Sequence, residues 1–393
     1  MRHIALILLL ICPLAAPVSF SATTNEGERI IIDRRADSLG FLKPIPINVS
    51  GFSGEADAVL KQDLFFMGLQ HGLLEEAMFL VKSGASGNVE GHVYDRSGQH
   101  LFGQAYTGAG LRTLVHRLAD DIAARLVQGV PTIAQTKVTF KVESGIGKSE
   151  VYVADYDGGN SQAATRDGSI VAQPSWAGIS MLFYTSYRLG SPAIFSHHLK
   201  TGSRVAVARH PGANISPAVS RDGTKLAMIL SKGGSPDLYA SDLNGANLKQ
   251  LTFTREDESS PCWSPDGRTI CFVSSARGTP GLYSISPSGG TPRRIATTGA
   301  PRPTEPDWSP DGRWIAFTSQ TRSFQVCIVP AQGGDAFVLA EGEDPSWAPN
   351  SRAIVFCRGR DHAKRLSLLD VPSRQVKDIA RILESNSQPS WAK

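Results

Sequence analysis

The chain has 393 residues, with 40 Lys+Arg against 36 Asp+Glu and a formal net charge of +4. A balance so near neutrality supplies no basic field for nucleic acid or an anionic membrane surface. With 41% hydrophobic and 19% charged residues, the chain is able to bury a core and is not disordered by composition. The 38 Gly and 24 Pro follow no collagen-like period, so they imply many short turns and point to an all-β array beside a second, smaller domain.

The N-terminus has the layout of an export signal. Met1, Arg2 and His3 make a basic start, residues 4–11 are an unbroken apolar run, and Ser19, Phe20, Ser21 and Ala22 form a candidate cleavage zone. Residues 1–22 are therefore read as a secretory signal peptide, too short to cross a bilayer. A retained anchor and lipidation at Cys12 rank below it, because Ile11 stands where lipidation wants a small residue. No second apolar run of about 18 residues follows, so no membrane insertion is expected. Cys262, Cys271, Cys327 and Cys357 remain after the leader. An oxidising compartment allows three full pairings of them, but their apolar strand-like surroundings favour buried free thiols.

Residues 23–133 read as a small α/β domain. A β-branched run covers residues 29–33, and residues 45–52 read as a strand. Residues 56–69 read as a helix with Ser53 as candidate cap. Residues 89–95 and 101–106 form a hairpin over Arg96, Ser97 and Gly98. Residues 111–127 are an amphipathic helix with Leu111, Leu114, Val115, Leu118, Ile122 and Leu126 on one face. Gly129, Val130 and Pro131 end it.

Residues 134–393 carry a repeat. Pro174, Pro217, Pro261, Pro306, Pro345 and Pro389 each open a Pro–x–Trp-like unit, at spacings of 43, 44, 45, 39 and 44 residues. A period of 40–45 belongs to propeller blades. Trp263 to Gly267 and Trp308 to Gly312 both read Trp-Ser-Pro-Asp-Gly, and the other copies are degraded. The Asp-Gly pair is a hairpin turn signal. Each unit holds four strand-sized segments, and a lone blade leaves both faces apolar, so blades must stack, with the Trp between them. The last unit stops at Lys393, and residues 138–142, 151–154 and 162–164 supply its other strands. The expected fold is thus a small α/β N-terminal domain followed by an all-β six-bladed propeller closed by the C-terminal strand.

Chemistry is sparse. His71, His92, His116, His197, His198 and His210 are scattered, none at metal-ligand spacing, and the His197–His198 pair reads as an ordinary surface pair. There is no Gly–x–Ser–x–Gly elbow, and Gly108 and Gly110 lack the rest of a dinucleotide loop. No catalytic constellation, metal or cofactor is expected.

The Trp-Ser-Pro-Asp-Gly repeats, joined to a leader and this N-terminal domain, resemble the TolB family. Leu42 to Val49, with its Lys-Pro-Ile-Pro core, supports the resemblance. So do Tyr106 to Gly108 with Arg112 and His116 to Ile122, and Lys137 to Phe140 leading into the first blade. The resemblance implies a periplasmic, monomeric, non-enzymatic adaptor of the Tol–Pal system, supporting outer-membrane integrity and cell division. It implies that Pal docks on the loops preceding each Pro–x–Trp. The candidate contacts are Arg209, His210, Ala213, Glu256, Asp257, Glu258, Arg302, Thr304, Glu305, Glu343 and Asp344. TolA is implied at Glu28, Arg29, Ile30, Ile31, Ile32 and Asp33, whose β-branched core suits addition to a partner sheet. The alternative is an exported propeller-type hydrolase or a ligand-binding propeller.

Overall fold

The structure is a computed structural model, and it describes residues 18–23, 29–34, 36–359, 363–382 and 384–393. Most of the expected leader, and Glu28, lie outside the described residues. The first described strand, β1 (Val18–Thr23), overlaps the end of the expected leader and pairs antiparallel with β2 (Arg29–Arg34).

The N-terminal domain is a five-stranded sheet with two helices. Its elements are β3 (Ile45–Ser50), α1 (Gly54–Phe66), β4 (Leu69–His71), β5 (Phe79–Ser83), β6 (Val89–Asp95), β7 (His100–Tyr106) and α2 (Leu111–Leu126). The sheet order is β4-β3-β5-β6-β7, with β3 parallel to both neighbours and β5, β6 and β7 antiparallel. Alternation along β3 buries Ile45, Ile47 and Val49 against the helices and leaves the other face open. Ser53 stands at the N-cap of α1 in extended conformation, but its side chain makes no capping bond. The buried stripe of α2 is the expected one, Leu114, Val115, Leu118, Ile122 and Leu126, whereas Leu111 in the first turn is exposed.

Six four-stranded antiparallel sheets follow. Blade one is Val171–Ala177, Met181–Ser186, Ala193–His198 and Arg204–Ala208. The inner strands of blades two to five are Asn214–Val219, Glu258–Trp263, Pro303–Trp308 and Glu343–Trp347. Blade six is shared between the two ends of the array: Asn386–Trp391 pairs with Lys137–Gly145, with Ser390 opposite Thr139 and Trp391 opposite Val138. Closure through backbone hydrogen bonds leaves no free inner edge.

The repeat has a local physical cause at both of its ends. At the Asp-Gly turn, the Ser264 hydroxyl donates to Asp266 Oδ1 (2.6 Å) and accepts from Thr269 N (2.9 Å), while Asp266 Oδ1 accepts from Arg268 N (3.1 Å). Ser309 with Asp311 and Ser220 with Asp222 repeat this turn. Gly267 at φ 69° completes it. At the other end every repeat proline follows a β-bulge. The residues just before them, Gln173, Ser216, Ser260, Glu305, Asp344 and Gln388, all have φ between 48° and 55°, and each inner-strand register shifts there. A bulge is one of the few places inside a sheet where proline, lacking an N–H, is tolerated. The Trp indoles pack between blades as expected. Trp263 Nε1 donates to Ala218 O (2.9 Å) and Trp176 Nε1 to Ser390 O (3.0 Å), each on the preceding blade.

Candidate functional site

The two ends of the propeller channel differ. The turns joining inner to second strands face the N-terminal domain. There Arg313 Nη2 donates to Leu39 O (3.1 Å), Asn350 Nδ2 to Phe66 O (2.9 Å) and Arg352 Nη1 to Leu42 O (3.3 Å). Asn350 stands where other units carry the turn Asp, and its amide supplies a donor that a carboxylate lacks. The degraded fifth unit therefore takes part in docking the N-terminal domain, beside Arg313 of blade four. One hydrophobic cluster runs unbroken from Leu60, Leu114 and Leu118 through Val138 and Phe140 to Leu366 and Trp391. An apolar junction of that kind holds two domains as one body.

A buried charge network crosses the same junction. His116 on α2 places Nδ1 2.7 Å from Asp63 Oδ2 on α1, and Nε2 3.3 Å from Asp157 Oδ2 in blade six. Tyr156 donates to Asp63 Oδ1 (2.5 Å), and Arg112 pairs with both Asp157 and Glu55. Burial by itself would lower His116, but the hydrogen bonds and charge of Asp157 and Asp63 outweigh it and lift the imidazolium to about 10. Burial lifts Asp63 to about 6, against the pull of His116. For Asp157 the His116 and Arg112 contacts overcome burial and hold it at about 2. The three groups lie close enough to hold one ion. Nδ1 is hydrogen-bonded to Asp63, Nε2 faces Asp157 at ion-pair distance, and the Arg112 cation sits against Asp157, so the arrangement is an imidazolium between two carboxylates. The sequence reading of scattered histidines missed it, because Asp63 and His116 are 53 residues apart and only tertiary packing joins them.

The opposite end of the channel is open, and it carries the loops leading into the inner strands. Of the Pal candidates, Arg209, Glu256, Asp257 and Arg302 are exposed there. His210, Ala213, Thr304, Glu305 and Asp344 are half-buried. Glu258 and Glu343 are buried: Glu258 Oε1 accepts from Ser274 Oγ and Thr254 Oγ1 at 3.0 Å each, and Glu343 is paired with Lys364. Their charges are spent inside the ring. Burial raises Glu258 to about 6 and Asp344 well above the carboxylate range, the latter helped by Glu305 and Glu343. The same end carries exposed apolar side chains that charge-based reading passed over, Phe253 at 77% exposure, with Ile146, Tyr187, Leu189 and Phe324. Their signal in the sequence is an apolar residue inside a turn between strands. The expected surface pair also divides. His197 is buried, and burial with the Arg204 charge lowers it to about 4, while His198 on the opposite strand face is half-buried.

Around the channel the bulge residues reach from blade to blade. Glu305 Oε2 accepts from Asp344 N (3.2 Å), Asp344 Oδ2 from Gln388 N (3.0 Å), Gln388 Oε1 from Gln173 N (2.9 Å) and Gln173 Oε1 from Ser216 N and Oγ (3.0 Å each). Two links of the belt are absent among the described residues, those from Ser216 and Ser260, whose side chains are too short. Gln173→Ala removes the acceptor for two donors and is expected to destabilise the propeller by about 1–3 kcal/mol, read by urea denaturation. A midpoint unchanged within error would show the belt to be energetically idle.

Residues 125–393 match the model of the TolB beta propeller domain. The chain belongs to the TolB β-propeller family. The Tol-Pal system protein TolB of Anaeromyxobacter dehalogenans is 30% identical over 287 residues, 62% of this chain and 64% of that protein. The protein TolB homolog of Chlorobaculum tepidum is 33% identical over 167 residues, 42% of this chain and 38% of that protein. The chain thus matches less than two thirds of the length of either relative. The crystal structure of TolB from Acinetobacter baumannii superposes with a TM-score of 0.77 at 20% identity, over 89% of this chain and 97% of that one, which is agreement of fold. Among the described residues no helix is long and apolar enough to cross a membrane.

Proposed function

We propose that this family member is a non-enzymatic, periplasmic adaptor of a Tol–Pal system. The observation that carries this reading is family membership combined with a propeller whose one face holds the N-terminal domain against blades four to six and whose other face is free. The free end presents Phe253 beside Glu256 and Asp257, with Arg209 and Arg302 on neighbouring loops: an exposed aromatic within a two-sign charged rim suits a protein partner. Pal is assigned to this end. Tyr, Trp, Phe and Arg anchors typically dominate such interfaces, so Phe253→Ala should weaken binding of the Pal periplasmic domain about 30-fold or more, measured by isothermal titration calorimetry. Absence of binding by the unmodified chain at roughly 100 μM would reject the assignment.

TolA is assigned to residues 28–33. Five of the six β1 residues that pair with β2, Val18 to Ala22, belong to the expected leader. Export would strip them and leave Arg29–Arg34 with an open hydrogen-bonding edge, ready to extend a partner's sheet. Deleting residues 28–33 from the exported form is expected to abolish TolA binding and leave the melting temperature nearly unchanged. A large fall in melting temperature would mark the segment as structural instead.

A further inference from the structure

The open face of the N-terminal sheet carries a feature that neither the propeller nor its proposed partners use. His92 on β6 and His100 on β7 turn their rings toward each other, with Nδ1 of His92 3.2 Å from Nε2 of His100. On its far side, His92 Nε2 lies 2.9 Å from Glu90 Oε1. The other Glu90 oxygen accepts from the Ser86 N–H (2.6 Å) and hydroxyl (2.7 Å), which fix the carboxylate in place. With Glu90 Oε1 placed as the acceptor for Nε2, the His92 proton sits on Nε2 and Nδ1 presents its lone pair to His100. Tyr94 flanks the pair, its ring centroid 5.2 Å from that of His100, with the Lys82 ammonium over its face.

The backbone makes room for this meeting. Gly103 pairs with His92 across the β6–β7 ladder. A Cβ on Gly103 would stand 2.6 Å from His92 Nδ1 and 2.9 Å from His100 Nε2, so any other residue would drive the two nitrogens apart. A bulge between Val93 and Tyr94 sets His100 opposite Tyr94, within reach of His92.

We infer that His92 and His100 form a two-imidazole clamp for a divalent transition-metal ion of the zinc, copper or nickel class, with Glu90 orienting His92 from behind. Two nitrogens bound tetrahedrally at ordinary zinc–nitrogen lengths stand about 3.3 Å apart, the separation already present. Imidazole pairs select these borderline ions over magnesium or calcium, and a carboxylate behind a ligating histidine is the usual device for fixing ring and tautomer. On binding, His100 gives up the proton at Nε2 and carries one at Nδ1 instead. The two remaining coordination positions are left to water or to a donor from a bound partner.

The test is isothermal titration of the tag-free full chain with Zn2+. One site per chain is expected. His92→Gln or His100→Gln should remove it, Gly103→Ala should weaken it about tenfold or more, and Glu90→Gln should weaken it by about 10–100-fold. Unchanged melting temperatures in His92→Gln and His100→Gln would attribute the loss to the clamp, not to unfolding. No binding by the unmodified chain, or full binding retained in both histidine variants, overturns the inference.

Discussion

Trp391→Ala is expected to destabilise the chain by about 3–5 kcal/mol, the range for truncating a fully buried aromatic. The indole is 1% exposed, stacks on Tyr156 with ring centroids 5.7 Å apart, and donates from Nε1 to Thr136 Oγ1 at 2.8 Å. The substitution therefore opens a cavity, removes the donor to a hydroxyl that keeps only its bond to Ile133 O, and loosens the strand that welds the two ends of the array. Trp308, in the matching position of blade four, is half-buried and donates to Gly312 O within its own turn. Its alanine variant should lose clearly less. Denaturation followed by circular dichroism compares the two. Equal losses would mean that closure of the ring adds nothing to ordinary interblade packing. Removing residues 386–393 should be more severe still, since it exposes Lys137–Gly145 as an unpaired inner edge.

His116→Ala should cost about 3–5 kcal/mol as well, because it leaves Asp63 and Asp157 buried with their shared counter-charge gone. The pH dependence of stability separates the groups. His116 titrates higher when folded, near 10 against an ordinary 6.5, so its contribution is complete below 6.5 and fades as pH climbs through 10. Asp157 titrates lower when folded, near 2 against 3.8, so its contribution is complete above 3.8 and fades as pH falls through 2. Asp63 runs the other way: held near 6, it favours the fold while protonated and withdraws that support as pH rises from 3.8 through 6. The junction is therefore firmest at about pH 4 and loosens on either side. A melting-temperature profile should decline toward alkaline pH in the unmodified chain, and His116→Gln should flatten that alkaline limb. An identical slope in both proteins would remove His116 from the account.

The propeller was legible from the chain because its signals are local. Proline at a bulge, tryptophan after it and Ser-Pro-Asp-Gly at the turn are each dictated by backbone needs within a few residues, so repetition exposes the blade length, the blade count and the split unit. The α2 stripe and the β6–β7 hairpin were legible for the same reason. The belt around the channel was not, since Gln173, Glu305, Asp344 and Gln388, though each precedes a repeat proline, reach the next blade only through a left-handed backbone that no letter announces. Asn350 read as decay of the repeat until its contact with Phe66 O gave it a task.

By itself, then, the order of amino acids determined a two-helix α/β domain and a six-bladed ring closed by its own C-terminal strand. Periodicity and turn chemistry act over a few residues and need no knowledge of distant neighbours. Only the tertiary structure decided which histidines carry chemistry, which acidic residues face water and which channel end stays open. His116 meets Asp63 and Asp157, and His92 meets His100 over Gly103, through packing of separate elements. Burial of Glu258 and Glu343 likewise depends on side chains that come from elsewhere in the ring, so the charge written in the sequence does not say whether solvent or the interior receives it.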